Sequence, residues 1–163
     1  MDPFAIFAVQ LSWFAAAWSV LVYFAVWPWS RRLSQRARLS LWVAPQMFRV
    51  LGLGLLVPSL APGMPRDFAV ATALGDSLTA SLALLAFVSL RRGWRAAHAL
   101  TWACTLVGVT DLLIAFPHAA RSGAIAHLAA QWYVPVLGGP LMVVAHVACL
   151  VELLHGRRAS AAA

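Results

Sequence analysis

Five long apolar stretches, separated by short arginine-bearing connections, constrain this chain more than any other feature. A hydrocarbon layer about 30 Å thick is crossed by a helix of ~20 mostly apolar residues. Within it, backbone N–H and C=O groups must be satisfied inside the segment itself. The stretches fall at about 4–27, 41–60, 68–90, 94–116 and 132–154 of the 163 residues, so almost nothing is left for a soluble domain. Composition agrees: 63% of residues are hydrophobic, 10% are charged and the mean hydropathy is +0.82. A soluble domain has nearer ~45–50% apolar and ~25% charged residues, which excludes an ordinary water-soluble enzyme. The expected fold is all-α: one polytopic membrane helix bundle of five transmembrane helices occupying residues 1–163.

The net charge of +7 comes entirely from arginine, since the chain has no lysine. These arginines lie in short runs between apolar stretches and form no single basic face, so nucleic acid is not an expected partner. Arg31, Arg32, Arg36 and Arg38 follow the first stretch, Arg91, Arg92 and Arg95 the third, and Arg157 and Arg158 the fifth. The opposite side carries only Arg66 and Arg121. The positive-inside rule then places the N-terminus outside and the C-terminus in the cytoplasm. Met1-Asp2-Pro3 offers no positive n-region, and the first apolar run is too long for a cleaved signal peptide, so it is expected to be a retained helix. Residues 30–40, with four arginines, are expected to lie along the cytoplasmic surface. Trp27, Trp29, Trp42, Trp94, Trp132 and Tyr133 sit near helix ends, as interfacial belts require, while Trp13 and Trp18 are expected to face lipid or fill packing space.

The second stretch contains Pro45, Gly52, Gly54 and Pro58. An ordinary kinked helix is the expectation, with a broken segment that shapes a site as the alternative. This stretch also carries Arg49. An ionisable side chain at depth costs ~2.5–3.5 kcal/mol on insertion scales and calls for a partner or a function. Arg49 lies roughly 12 Å from one face and Asp76, on the third stretch, roughly 12 Å from the other, an axial offset of only ~6 Å. A short loop joins the two stretches, so an Arg49–Asp76 ion pair is expected. His146 on the fifth stretch is expected to point inward with them. Asp111, near the external end of the fourth stretch, is expected to pair with Arg121 or bind water. Glu152 is expected to pair with Arg157, Arg158 or another cytoplasmic arginine. Rows of small residues, such as Thr72, Thr79, Ala80 and Ala83 or Thr101, Cys104, Gly108, Asp111 and Ala115, permit close helix approach.

Among the five histidines, His146 and His98 fall at similar depths, which keeps a bis-imidazole haem as an alternative although no cofactor is expected. His118 and His127 lack zinc-site spacing, so no metal is expected. Cys104 and Cys149 lie inside different spans at different depths, and a disulfide is not expected. No phosphate loop, dinucleotide fingerprint, G-x-S-x-G or H-E-x-x-H occurs.

Phe48-Arg49-Val50-Leu51-Gly52, then Gly75-Asp76, then Gly108-Val109-Thr110-Asp111-Leu112, resemble a pattern of small uncharacterised bacterial membrane proteins, in which F-R-x-x-G, G-D and G-x-x-D-L recur on successive spans. The resemblance covers residues 45–115 and implies architecture and a bacterial inner membrane, without implying chemistry. The functional expectation is a small multi-pass inner-membrane protein acting as a binding, transport-associated or accessory module. Its buried polar site would comprise Arg49, Asp76, His146 and Asp111. The alternative is a membrane-embedded enzyme or electron carrier acting on a lipid, quinone or haem; catalysis is the less favoured of the two. The expected partners are the lipid bilayer and either partner subunits or further copies of the chain.

Overall fold

Prolines, glycines and capping side chains set the helix ends. The computed structural model describes residues 2–161, with side chains through His155. Among the described residues there is no strand, and five helices are long and apolar enough to cross a membrane: α1 (Pro3–Ser30), α2 (Gln35–Leu56), α3 (Arg66–Arg92), α4 (Ala97–Ser122) and α5 (Ala129–His155). Asp2 caps α1 by accepting from the Phe4 N–H at 3.0 Å, and Pro3 occupies the first helical position, where its missing N–H costs nothing. Gly93 and Gly123 end α3 and α4 at φ +71°, a left-handed conformation that a side chain would disfavour.

Three boundaries depart from the sequence reading. Ser34 accepts from the Ala37 N–H and starts α2 at Gln35 rather than near Leu41, so the arginine-rich stretch is a tight turn followed by the first turns of a helix. Helix α2 stops at Leu56, because Val57 is held extended ahead of Pro58. Helix α4 runs past Phe116 and through Pro117 to Ser122; Pro117 removes one intrahelical bond, and the stop is supplied by Gly123.

The prolines and glycines of α2 do more than kink it. Residues Gln35–Val43 are α-helical, whereas Ala44–Leu56 form thirteen residues of 3₁₀ helix. Such runs are seldom longer than a turn, and this one rises ~26 Å where an α-helix would rise ~20 Å. A 3₁₀ helix also eclipses side chains at i and i+3. Gln46, Arg49, Gly52 and Leu55 consequently form one row, and those four are the buried residues of the segment.

Helix α3 is central, packing most extensively against the 3₁₀ half of α2 and against α4. Between Phe68 and Leu90, which are also buried, its buried face is small: Ala69, Ala73, Thr79, Ala80, Ala83, Ala86 and Ser89. Close approach of small residues is the usual packing device among apolar helices, and Thr79 Oγ1 donates back to the Gly75 carbonyl of its own helix at 2.9 Å. Two apolar clusters result. One joins Leu39, Val43, Leu90, Cys104 and Leu153, the other Phe7, Leu55, Phe68, Ile125 and Val136. On α2, α3, α4 and α5, the residues between these clusters are the polar ones described below.

Helix α1 rides on the outside, with only Phe7 and Ser30 buried. It is tied to α5 by two indoles: Trp132 Nε1 donates to Gln10 Oε1 at 2.7 Å, and Trp18 Nε1 donates to the Leu137 carbonyl at 3.1 Å. Leu137 lies in a π-helical turn, Val134–Gly138, and Phe7 stands edge-on to Trp132 at 5.6 Å. Trp132→Phe keeps an aromatic ring but strands the Gln10 amide, and is expected to lower stability by about 1 kcal/mol in a detergent-solubilised unfolding titration. Adding Gln10→Leu is expected to restore part of that loss, since both polar partners are then gone. Of the tryptophans assigned to an interfacial belt, Trp42 is instead buried, stacked on Trp27 at 5.8 Å. Trp13 points outward at 74% exposure.

Candidate functional site

The 3₁₀ row of α2 delivers the Arg49 guanidinium between α3 and α4. Its Nε donates to Asp76 Oδ1 at 2.7 Å, its Nη1 to the Gly108 carbonyl at 3.2 Å, and its Nη2 to Asp111 Oδ2. Every guanidinium nitrogen is engaged, and the side chain is 3% exposed. The Arg49–Asp76 pair has the partners expected from depth. Asp111 does not: it joins the same guanidinium instead of pairing with Arg121. The reason is geometric. Both residues sit on the continuous helix α4, ten positions apart, and a rise of ~1.5 Å per residue puts Arg121 ~15 Å farther along the axis.

Glycines make this cluster possible. A Cβ at Gly52 would fall on the Asp76 carboxylate, one at Gly75 on the Asp111 carboxylate, and one at Gly108 on the His146 imidazole. The glycine of each helix is therefore the seat for the polar side chain of the next, from α2 through α5. F-R-x-x-G, G-D and G-x-x-D are three parts of one interlocked device. The sequence reading placed the ionisable residues on inward faces but missed the glycine seats, whose only signal was the recurrence of a glycine beside each charged residue.

Gln46 was also missed. It is 1% exposed, one 3₁₀ turn before Arg49, and its Nε2 donates to the Met142 carbonyl at 3.0 Å, while its Oε1 has no partner among the described residues. The signal that could have found it is the period of three in Gln46, Arg49, Gly52 and Leu55. His146 is 2% exposed, with Nε2 unpartnered against Gly108. His98, its suggested haem partner, is exposed at the start of α4, whereas His146 is buried. Among the described residues no group of three or more His, Cys, Asp and Glu could hold a metal. His127 Nδ1 lies 3.2 Å from the Pro62 carbonyl, and His118 packs edge-on against Phe68. Cys104 and Cys149 are buried free thiols, with Thr105 Oγ1 donating to Cys149 Sγ at 3.4 Å. Glu152 pairs with Arg38 at 2.9 Å; the side chains of Arg157 and Arg158 lie outside the described residues.

Beside the charge cluster is a cavity of about 460 Å³, within the range of small-molecule sites. Its wall is chiefly apolar, drawn from all five helices by residues such as Phe7, Trp18, Phe48, Leu112, Phe116 and Met142. Arg49, Asp76 and Asp111 supply its polar end. His146 does not line it. At the rim, Phe48 and Leu51 are more than half exposed.

The family model described as a domain of unknown function, DUF8737, matches residues 6–154. The chain belongs to the DUF8737 family. That match extends well beyond residues 45–115 and takes in all five helices, so the cavity lies within the DUF8737 domain. No curated protein and no solved structure matches the chain.

Proposed function

We propose that this protein is a multi-pass membrane protein that binds a small, largely apolar molecule in the cavity between its five helices, with the Arg49–Asp76–Asp111 cluster fixing the molecule's polar end. The observation that carries this reading is the cavity itself: an apolar wall closing on one concentrated charge cluster, the usual design of a small-molecule site. Membrane residence is supported by the outward face. Val9, Trp13, Leu113 and Leu74 are each exposed by two thirds or more, an apolar surface suited to lipid and poorly suited to water. Arginine asymmetry supports an N-terminus outside and a C-terminus in the cytoplasm, and the F-R-x-x-G, G-D and G-x-x-D-L resemblance supports a bacterial inner membrane. A C-terminal reporter that is active only when exported is expected to stay silent.

The role that follows is binding, either as an accessory module or in association with transport. Helix α1 leaves most of its surface free, which suits a partner subunit or a further copy of the chain. An enzymatic or electron-carrying reading would draw its acid–base or ligand chemistry from His146, whose Nε2 is unpartnered, or from Asp111. It is the weaker one, because His146 does not line the cavity and Asp111 is already bonded to Arg49.

Native mass spectrometry of the protein extracted from its own membranes in mild detergent tests the binding reading. Ala115, half-buried on the cavity wall one turn beyond Asp111, can be replaced by phenylalanine without touching the cluster's hydrogen bonds. The wild type is expected to release a bound small molecule that Ala115→Phe lacks while remaining folded. Equal occupancy in both proteins would place the ligand elsewhere.

A further inference from the structure

The cluster's polarity towards the cavity assigns a chemical class to the occupant; this rests on the binding reading above and deepens it. We infer that the cavity selects an amphiphile with a protonated amine or an equivalent cationic hydrogen-bond donor at its polar end.

Three observations lead there. The first is charge: one guanidinium faces two carboxylates, so the ionised cluster carries one uncompensated negative charge. The second is which groups are reachable. The Arg49 side chain is 3% exposed, whereas those of Asp76 and Asp111 are 16% and 15% exposed. Arg49 touches the cavity with little of its surface, and the carboxylates form most of the cluster's accessible polar surface. The third is bonding capacity. Each carboxylate commits one oxygen to Arg49. The other oxygens, Asp76 Oδ2 seated against Gly52 and Asp111 Oδ1 seated against Gly75, are not used by Arg49, and both side chains line the cavity. They leave acceptor capacity at the polar end of an apolar chamber.

An anionic head group would meet carboxylates before it met the guanidinium and would be repelled. A hydroxyl could donate one neutral hydrogen bond. An alkylammonium donates charge-assisted hydrogen bonds, roughly twice as strong, and neutralises the excess charge in a poorly hydrated space. Its alkyl chain fits the apolar wall. Alkylamines, with pKa near that of lysine at about 10.4, are cationic at neutral pH.

The test uses three matched probes, decylamine, decanol and decanoate, added to the full-length protein in a non-ionic detergent at pH 7, with binding measured by the rise in thermal unfolding midpoint. Decylamine is expected to bind at least about tenfold more tightly than decanol, and decanoate more weakly than either. Asp76→Asn keeps an oxygen acceptor for Arg49 and leaves Asp111 paired, so the variant folds with its cluster neutralised. In it the amine-over-alcohol preference is expected to fall to about twofold or less, and in Ala115→Phe all three shifts are expected to disappear. Decanol binding as tightly as decylamine, or decanoate binding best, overturns the cationic class while leaving a binding cavity in place. Shifts that persist unchanged in Ala115→Phe, or no shift with any probe, overturn the class together with the binding reading.

Discussion

Replacing Arg49 with methionine is expected to abolish stable folding or to cost at least ~3–5 kcal/mol, the penalty for breaking a buried ion pair by removing one partner. Two carboxylates lose their cation at once: Asp76 and Asp111 are both held by this guanidinium, seated against Gly52 and Gly75 at the end of a chiefly apolar cavity. The Gly108 carbonyl loses a donor as well. Methionine approximates the volume and flexibility of the arginine stem, so packing loss is kept small and the effect reports on charge. Arg49→Lys is expected to be an intermediate case, because an ammonium cannot present separate nitrogens to two carboxylates and a carbonyl in the fixed fork of a guanidinium. The compensating experiment is the triple variant Arg49→Met, Asp76→Asn, Asp111→Asn. It removes all the buried charge, and replacing a complete buried ion cluster by neutral groups is often close to neutral in stability. Denaturant midpoints in detergent, or yields of monodisperse protein, give the readout: a severe loss in the single variant with substantial recovery in the triple.

The second large effect is expected at Gly75. The Cβ of an alanine there would occupy the position of the Asp111 carboxylate, which cannot withdraw without releasing Arg49. Gly75→Ala is therefore expected to destabilise by ~2–4 kcal/mol through the loss of a buried charge partner, against the normal rule that alanine in a helix is favoured over glycine by about 1 kcal/mol. Gly138 supplies the internal control. Nothing lies within 4 Å of a Cβ built there and its φ is not positive, so Gly138→Ala is expected to be neutral or slightly stabilising. Opposite signs for the same substitution at two intramembrane-length helices would separate the seat effect from helix propensity. Equal, small effects at both positions would sink the interlocking of glycines and polar side chains.

How much of this was legible beforehand varies from residue to residue, for physical reasons. Helix number and approximate position follow from apolar length alone, and the structure has five such helices where five are expected. The boundaries of α2 and α4 were displaced because caps and glycines, not hydropathy, end helices: Ser34 starts α2 inside an arginine-rich run, and Gly123 ends α4 beyond a proline. The Arg49–Asp76 pair could be anticipated because depth and loop length are one-dimensional quantities. Asp111 could not be placed the same way. Its partner depends on which way α4 is rotated, and a charge near the end of an apolar stretch has a nearby loop arginine as its default partner. The cavity was legible only in part. Pro45, Gly52, Gly54 and Pro58 pointed to a broken, site-shaping segment as the alternative to a kinked helix, but the length of the 3₁₀ run, the π-helical turn in α5 and the peripheral placement of α1 have no compositional signature. A sequence pattern with a period of three around Arg49 was present, but it is read as such only once the segment is known to be 3₁₀.

The contact on which the account turns is the one between Arg49 on α2 and Asp111 on α4, since it closes the charge cluster and shapes the cavity's polar end. A double-mutant cycle on unfolding free energy, comparing Arg49→Met, Asp111→Asn and the pair in the same detergent, measures it most directly. The account predicts a coupling of at least ~1–3 kcal/mol, the size found for residues in one ionic network. Additivity within ~0.3–0.5 kcal/mol, as for independent sites, would contradict it.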